Sequence, residues 1–144
     1  MKKIPTLKAA MTPFPYSVQL QTTLNAVRNL MQAHNIHHIP VMNNGNIVGV
    51  ITETDIDTRQ KMMDGGDNEK PLEVLHVPMS KAYIVDINEP LENVLLTMAN
   101  KRIGATVITK HGKLVGVFTY IDACRYFGEY IKAKFPKIDG DDAA

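Results

Sequence analysis

The stretch Gly49-Val50-Ile51-Thr52-Glu53-Thr54-Asp55 decides the fold, because it returns 67 residues later as Gly116-Val117-Phe118-Thr119-Tyr120-Ile121-Asp122. Upstream positions match at the same offset: Tyr16, Val18, Leu24, Val27, Met31, Ile36, Gly45 and Val48 with Tyr83, Val85, Leu91, Val94, Met98, Ile103, Gly112 and Val115. The matched residues are apolar, turn-forming or part of a Gly-x-x-Thr-x-x-Asp motif. We therefore interpret the chain as two copies of one structural unit.

The front of each copy departs from this register by one residue. Met11-Thr12-Pro13 resembles Met79-Ser80-Lys81, which lies 68 residues further along the chain. The first copy therefore carries one extra residue, near Pro13 or Pro15.

Each copy begins with the same predicted elements. A short strand is expected at about residues 17–20 and 84–87, and an amphipathic helix follows it. The helical spacing involves Leu24, Val27, Leu30 and Met31 in the first copy and Leu91, Val94, Leu95 and Met98 in the second. We expect Thr22 or Thr23 to cap the first helix and Asn88 to cap the second, with Pro90 near its first turn.

Two strands joined by a tight turn come next in each copy. The turns contain Gly45 and Gly112, and Asn-Gly between apolar runs, as at Asn44-Gly45, favours a hairpin. The last strand leads into a helix, predicted at about 54–63 and 121–135. The predicted fold class is therefore α/β (α+β), with each repeat a small three-stranded sheet and two helices.

The repeats also set the expected domain boundaries. The first repeat covers residues 9–63 and the second covers 72–135. Residues 64–71 between them are polar and Gly-rich, which is typical of a flexible linker. The acidic segment 136–144 lacks apolar periodicity, so we expect a frayed tail.

The composition favours an ordinary globular protein of 144 residues. Hydrophobic residues make up 44% and charged residues 22%, and the net charge of +1 argues against nucleic-acid binding. No apolar stretch approaches the roughly 20 residues that a membrane span requires, and no apolar segment follows the two N-terminal lysines. With Cys124 alone no internal disulfide can form, so a reducing cytoplasm is the expected compartment.

Taken together, the motifs resemble the cystathionine-β-synthase (CBS) domain over about residues 9–130. The residues that carry the resemblance are Met11-Thr12-Pro13, Ile39-Pro40-Val41, Ile47-Val48-Gly49-Val50 and the two Thr-x-x-Asp ends. The resemblance implies a pair of repeats related by a pseudo-two-fold axis, with two clefts between them. It also implies homodimerisation and, in many members, binding of AMP, ADP, ATP or S-adenosylmethionine.

Asp55 and Asp122 are the candidate ribose ligands. A carboxylate at the start of a helix is favoured by the helix dipole, and it can accept two hydrogen bonds from a ribose diol. Thr52 and Thr119 stand three residues earlier, where a hydroxyl could cap the helix or reach sugar or phosphate. The alternative is that Thr-x-x-Asp only caps two helices, and the two roles can coexist.

The resemblance also implies the walls of an adenine slot. One wall is the strand before each Thr-x-x-Asp motif, at Val50-Ile51 and Val117-Phe118. The opposite repeat supplies the other wall, at Tyr83-Ile84 and Tyr16-Ser17. The repeated tyrosine either stacks on a base or packs in the core.

Phosphates require cations or free N–H groups, and the two copies differ there. The first offers His37-His38 at the place where the second has Gly104-Ala105. A phosphate-binding histidine would make affinity depend on pH, and Gly104 could open space for a ligand or expose backbone N–H groups. Arg59 and Arg125 follow the two aspartates by four and three residues and are further candidates, although both could simply be solvated.

Two other interpretations remain beside a regulatory adenine-nucleotide sensor that signals to a protein partner. The chain could be a dimerising interaction module with empty clefts. His34, His37 and His38 could also form a metal cluster, but no spaced carboxylate or thiolate partner accompanies them. The sequence contains no recognisable catalytic motif, so we expect neither enzyme activity nor a catalytic cofactor.

Overall fold

The computed structural model describes residues 4–13, 16–62 and 70–137. Most of the predicted linker and tail, together with Pro15, lies outside the described residues. The elements are α1 (Leu7–Ala10), β1 (Thr12–Pro13), β2 (Val18–Gln19), α2 (Leu24–His34), β3 (His38–Asn43), β4 (Asn46–Thr52), α3 (Glu53–Met62), a 3₁₀ turn (Val74–His76), β5 (Tyr83–Asp86), α4 (Leu91–Lys101), β6 (Ala105–Lys110), β7 (Lys113–Thr119) and α5 (Tyr120–Lys134). None of the described helices is both long enough and apolar enough to cross a bilayer.

The strands form two small sheets, which confirms the predicted mixture of helices and sheets. The first sheet has the order β2-β3-β4, with β2 parallel and β4 antiparallel to β3. The second sheet has the order β1-β7-β6-β5, and β5, β6 and β7 repeat the arrangement of the first sheet. Its fourth strand, β1, comes from the first copy and pairs antiparallel with β7. The first sheet has a single bridge at the corresponding place, between Val50 and Ser80.

The hairpin turns are equivalent in the two copies. Gly45 has φ +80° and Gly112 has φ +76°, and the residue before each glycine also has a positive φ. Two successive residues with positive φ are typical of a tight turn whose twist matches that of the flanking strands.

The starts of α2 and α4 differ. Thr23 caps α2, because its Oγ1 accepts a hydrogen bond of 3.2 Å from the backbone N–H of Ala26. Helix α4 begins after Pro90 and has no side-chain cap, so the prediction that Asn88 caps it is wrong. The backbone N–H of Asn88 instead donates to the Asp86 carboxylate at 2.9 Å, which holds Asn88 in the turn before the helix.

Each hydrophobic core contains side chains from both copies. The first core is built on α2, β3 and β4 and also contains Val74, Val77 and Met79 from the start of the second copy. The second core contains Leu7, Ala10 and Met11 from the start of the first copy. The segment at the start of each copy, residues 7–13 in the first and 72–80 in the second, therefore packs on the core of the other copy. These two stretches are the leading segments.

Two glycines make room for these leading segments. A Cβ on Gly49 would stand 2.6 Å from Met79 Sδ, and a Cβ on Gly116 would stand 2.5 Å from Met11 Sδ. Real Cβ atoms do not approach neighbours so closely, since buried side chains pack at van der Waals distance. The repeated glycine of the sequence motif therefore leaves room for the crossing segment of the opposite copy, whose methionine and backbone carbonyl oxygen both lie close to the added Cβ.

The faces of the sheets that point away from the cores are also buried. Ile39 and Ile51 belong to the first core, so alternation along the strands turns Pro40 and Val50 to the other face, where both are buried. In the second sheet Val107 and Val117 are buried but belong to neither core. These buried residues belong to neither core, and His38 of the first sheet reaches the position of Gly104 beside the second sheet.

Candidate functional site

The end of β4 and the start of α3 place Thr52 beside Asp55. The backbone N–H of Thr52 donates to Asp55 Oδ2 at 3.0 Å, and the backbone N–H of Asp55 donates to Thr52 Oγ1 at 3.1 Å. This reciprocal pair satisfies two N–H groups at the helix start. Within the described residues Asp55 Oδ1 accepts no hydrogen bond, so that oxygen is available to a ligand.

The second copy repeats the arrangement at the start of α5. The backbone N–H and the hydroxyl of Thr119 donate to Asp122 Oδ2 at 2.9 and 3.2 Å. The N–H of Asp122 lies 3.4 Å from Thr119 Oγ1. In addition, the hydroxyl of Thr12 donates to Asp122 Oδ1 at 2.9 Å. Both motifs thus cap their helices, and in the second copy the other carboxylate oxygen is engaged as well.

The leading segments run past these carboxylates. Thr12 pairs with Val117 in the second sheet, and Ser80 bridges to Val50 at the edge of the first. This pairing brings together two groups of residues, the candidate clefts. The Asp55 cleft comprises Thr52, Asp55, Val50 and the segment from Ser80 to Ile84. The Asp122 cleft comprises Thr119, Asp122, Val117, Thr12, Pro13, Tyr16 and Ser17.

The predicted apolar walls are the pairs Val50-Ile51 and Val117-Phe118. In each pair, one residue belongs to a hydrophobic core and the other does not. Ile51 and Phe118 are fully buried in the first and second cores, whereas Val50 and Val117 belong to neither core. Ile84 is 43% exposed and Ser17 is exposed, on the segments that line the opposite walls.

The two tyrosines lie in different surroundings. The ring of Tyr16 stacks on the ring of His34, with centroids 3.9 Å apart, and Tyr16 remains 44% exposed. Tyr83 is half-buried and packs against the second core. Tyr16 would have to exchange its imidazole partner for a base, while Tyr83 is held as a core residue.

His38 lies on the cleft side of β3, in register with Thr52. Burial and the neighbouring His37 lower its pKa, and the nearby Asp55 carboxylate partly offsets this effect. His37 is exposed, and its Nδ1 lies 3.2 Å from a carboxylate oxygen of Glu53. The histidine pair thus divides into one half-buried imidazole near Asp55 and one exposed imidazole beside the Glu53 carboxylate.

Gly104 and Ala105 occupy the equivalent places at the start of β6. A Cβ on Gly104 would stand 3.3 Å from His38 Nε2, so the space that this glycine leaves open is taken by His38. Ala105 is buried and pairs in register with Thr119. The second copy therefore presents no basic side chain at this place.

The two arginines are placed differently. Arg59 lies one turn beyond Asp55 on α3; its Nε is buried, and no hydrogen bond or ion pair holds it within the described residues. Arg125 is exposed on α5. The residue that corresponds to Arg59 at the 67-residue offset is Tyr126, which packs against the second core. The difference between Arg59 and Tyr126 was missed in the sequence, although the 67-residue offset pairs the two positions.

Thr12 was also missed as a cleft residue. The Met-Thr-Pro motif was visible in the sequence, but its contact with Asp122 joins residues 110 positions apart. The described residues contain no group of three or more His, Cys, Asp or Glu side chains arranged to hold a metal ion.

Comparison with known proteins identifies the family. The family model for the CBS domain matches residues 7–60 and 74–129. CBS domain-containing protein YhcV of Bacillus subtilis is 30% identical over 111 residues, which cover 77% of each chain.

Two solved structures have the same fold. The CBS domain pair of protein MJ0100, in complex with 5′-methylthioadenosine and S-adenosyl-L-methionine, is 21% identical with a TM-score of 0.73 over 86% of this chain and 100% of that chain. CBSX2 in complex with AMP is 19% identical with a TM-score of 0.67 over 87% of this chain and 97% of that chain. The chain belongs to the CBS-domain family, and its two repeats form a CBS pair.

Proposed function

We propose that this member of the CBS-domain family is a regulatory module that binds an adenine nucleotide between its two repeats. The observation that carries the proposal is the geometry of Asp55. One oxygen of this carboxylate is fixed by the helix start, and the other accepts no hydrogen bond within the described residues. A fixed carboxylate with an available oxygen suits a ribose diol, as acidic residues do in dinucleotide-binding folds.

The ligands of the similar structures support the choice of adenine. 5′-Methylthioadenosine, S-adenosyl-L-methionine and AMP share an adenosine group, and each is bound to a protein with the same fold. In this chain Ile84, on the opposite wall of the Asp55 cleft, is 43% exposed and provides an apolar surface for a base. AMP, ADP, ATP and S-adenosylmethionine are therefore the candidates.

The crossing segments supply a means of signalling. The Asp55 cleft joins β4 of the first copy to Ser80, which belongs to the second copy. A ligand held by both would stabilise one relative position of the repeats, to the extent that it binds that position more tightly. We propose that a protein partner in the cytoplasm responds to this shift. The proposed role is regulatory rather than catalytic, because the cleft carboxylates are held in capping bonds that suit recognition of a diol.

A homodimer is the second part of the proposal. Helix α5 has no buried residue, and one stripe along it is apolar or small and exposed. Its members follow the alternating three- and four-residue spacing of a helix–helix seam: Ile121, Cys124, Gly128, Ile131 and Phe135. Ile121, Ile131 and Phe135 are 61%, 57% and 73% exposed. Sedimentation equilibrium should give a dimer that Ile131→Glu converts to a monomer; a monomeric wild type would contradict this part.

Isothermal titration with AMP, ADP, ATP and S-adenosylmethionine tests the ligand proposal. At least one of them should release or absorb heat and raise the melting temperature. Asp55→Asn is the informative variant, since the amide oxygen can still accept from Thr52 while the charge is removed. Its melting temperature without ligand checks that the cap survives. The absence of binding by all four compounds at millimolar concentration would refute the proposal and favour an interaction module with empty clefts.

A further inference from the structure

The two clefts differ at three equivalent places, all of which concern ligand recognition. The first difference is the state of the carboxylate. Asp122 Oδ2 is held by Thr119, and Asp122 Oδ1 accepts the hydroxyl of Thr12 at 2.9 Å. Both oxygens of Asp122 are therefore engaged by the chain's own groups.

Thr12 occupies the place that a sugar hydroxyl would take in the Asp122 cleft. Its Oγ1 donates to the carboxylate, as a ribose hydroxyl would, and pairing of Thr12 with Val117 fixes its backbone beside the cleft. A ligand must compete with this hydrogen bond before its own diol can bind. Hydrogen bonds to charged groups are among the stronger ones in proteins, so the competition lowers affinity by about tenfold or more.

The Asp55 cleft lacks this contact. The residue that corresponds to Thr12 in the repeat is Ser80, and its backbone bridges to Val50 at the equivalent position. Within the described residues no hydrogen bond joins Ser80 to Asp55. The ribose-facing oxygen of Asp55 is therefore accessible without displacing a group of the chain.

The second and third differences concern groups that can donate hydrogen bonds to phosphate. Arg59 lies on α3 one turn beyond Asp55, with an unpartnered guanidinium, whereas Tyr126 stands at the equivalent place on α5. His38 faces Thr52 at the start of the first cleft, whereas Ala105 faces Thr119 in the second. Phosphate is recognised by arginine forks, and the N–H of an imidazole can also donate a hydrogen bond to it. Only the Asp55 cleft has such groups at these places.

We infer that each chain binds one phosphorylated nucleoside, in the Asp55 cleft, and that Thr12 keeps the Asp122 cleft closed to ligand. The inference rests on the proposed function and assigns its binding to one of the two clefts. Arg59 is the residue that distinguishes a nucleotide from a nucleoside. Thr12 supplies a hydroxyl in place of that of a ribose. Its removal opens a second site that lacks a basic side chain at the places of Arg59 and His38 and accepts adenosine as readily as AMP.

Equilibrium dialysis with radiolabelled AMP and adenosine tests the assignment. Wild type should bind one AMP per chain and should prefer AMP to adenosine by about tenfold or more, as expected for a charge-assisted phosphate contact. Arg59→Gln should remove this preference. Arg125→Gln, the same change on the equivalent helix, should leave it intact.

Thr12→Val tests the closed cleft, because valine matches the shape of threonine but cannot donate. The variant should bind two adenosines per chain, and Asp122→Asn in the same background should return the number to one. Thr12→Ser, which keeps the hydroxyl, should behave as wild type. Two equal sites in wild type, or one site in Thr12→Val, would overturn the inference while leaving the proposed function intact. No binding of either compound by wild type would overturn the inference, and the proposed function would fall with it when ADP, ATP and S-adenosylmethionine also do not bind.

Discussion

His38 Nε2 lies 3.3 Å from the point at which a Cβ on Gly104 would stand. Gly104 holds the place in the second copy that His37 holds in the first. A side chain at position 104 would therefore press on His38 across the contact between the repeats. Gly104 of the second copy thus leaves room for His38 of the first, since a Cβ there would stand closer to the imidazole than ordinary van der Waals contact.

Gly104→Val should destabilise the fold through this contact. Overpacking a buried contact typically costs about 1–3 kcal/mol, and urea unfolding measures the change. His38→Ala in the Gly104→Val background should recover at least half of the loss, since the two residues are direct neighbours. Additive losses in the double variant would show that position 104 acts elsewhere.

Gly49→Ala should weaken the crossing of the second copy's leading segment. Its Cβ would collide with Met79 Sδ and would also stand 3.1 Å from the carbonyl oxygen of Ser80. We expect a loss of about 1–3 kcal/mol in urea unfolding. The Met79→Ala background should reduce that loss, because the flexible part of the obstruction is then absent. An equal loss in both backgrounds would assign the effect to the backbone contact instead.

The stability of the fold should depend on the protonation of His38. Its pKa in the folded chain is lowered, mainly by burial, from a usual value of about 6.5. Below that pH the unfolded chain binds the proton more readily than the folded chain does. The contribution of neutral His38 to stability is therefore complete above about pH 6.5 and declines as the pH falls toward the lowered pKa. The free energy of unfolding should fall less between pH 7 and pH 5 in His38→Gln than in wild type. Parallel curves would refute this dependence.

Thr23→Ala should remove the cap of α2. Loss of a capping hydroxyl typically costs about 1 kcal/mol, and Thr23→Ser should retain most of the stability because its oxygen can still accept from Ala26. Thermal unfolding of the two variants side by side measures the difference. Equal melting temperatures for serine and alanine would show that the hydrogen bond contributes nothing.

The repeated elements were predictable because apolar periodicity and turn chemistry are local properties of the sequence. Thr23 as a cap and the two hairpin glycines follow from such rules. Helix α1 and the 3₁₀ turn at Val74–His76 were missed, since four and three residues are too few to show a period.

The exchange of leading segments lay beyond sequence reasoning for a different reason. It depends on tertiary contacts such as Thr12 with Asp122, which no spacing rule links. The replacement of Arg59 by Tyr126 in the second copy was predictable, because the 67-residue offset pairs these two positions. The repeat therefore predicts where the two candidate clefts lie, and the departures from the repeat distinguish them.

Amide spectra of ¹⁵N-labelled protein during titration with AMP test the central proposal most directly. The N–H groups of Thr52 and Asp55 donate hydrogen bonds within the helix cap, next to the carboxylate oxygen that we propose for ribose. The N–H groups of Thr119 and Asp122 make the equivalent bonds in the second copy and therefore serve as the internal reference. We expect saturable shifts of the Thr52 and Asp55 signals, with much smaller shifts of the Thr119 and Asp122 signals. Unchanged Thr52 and Asp55 signals at millimolar AMP would contradict binding in the Asp55 cleft.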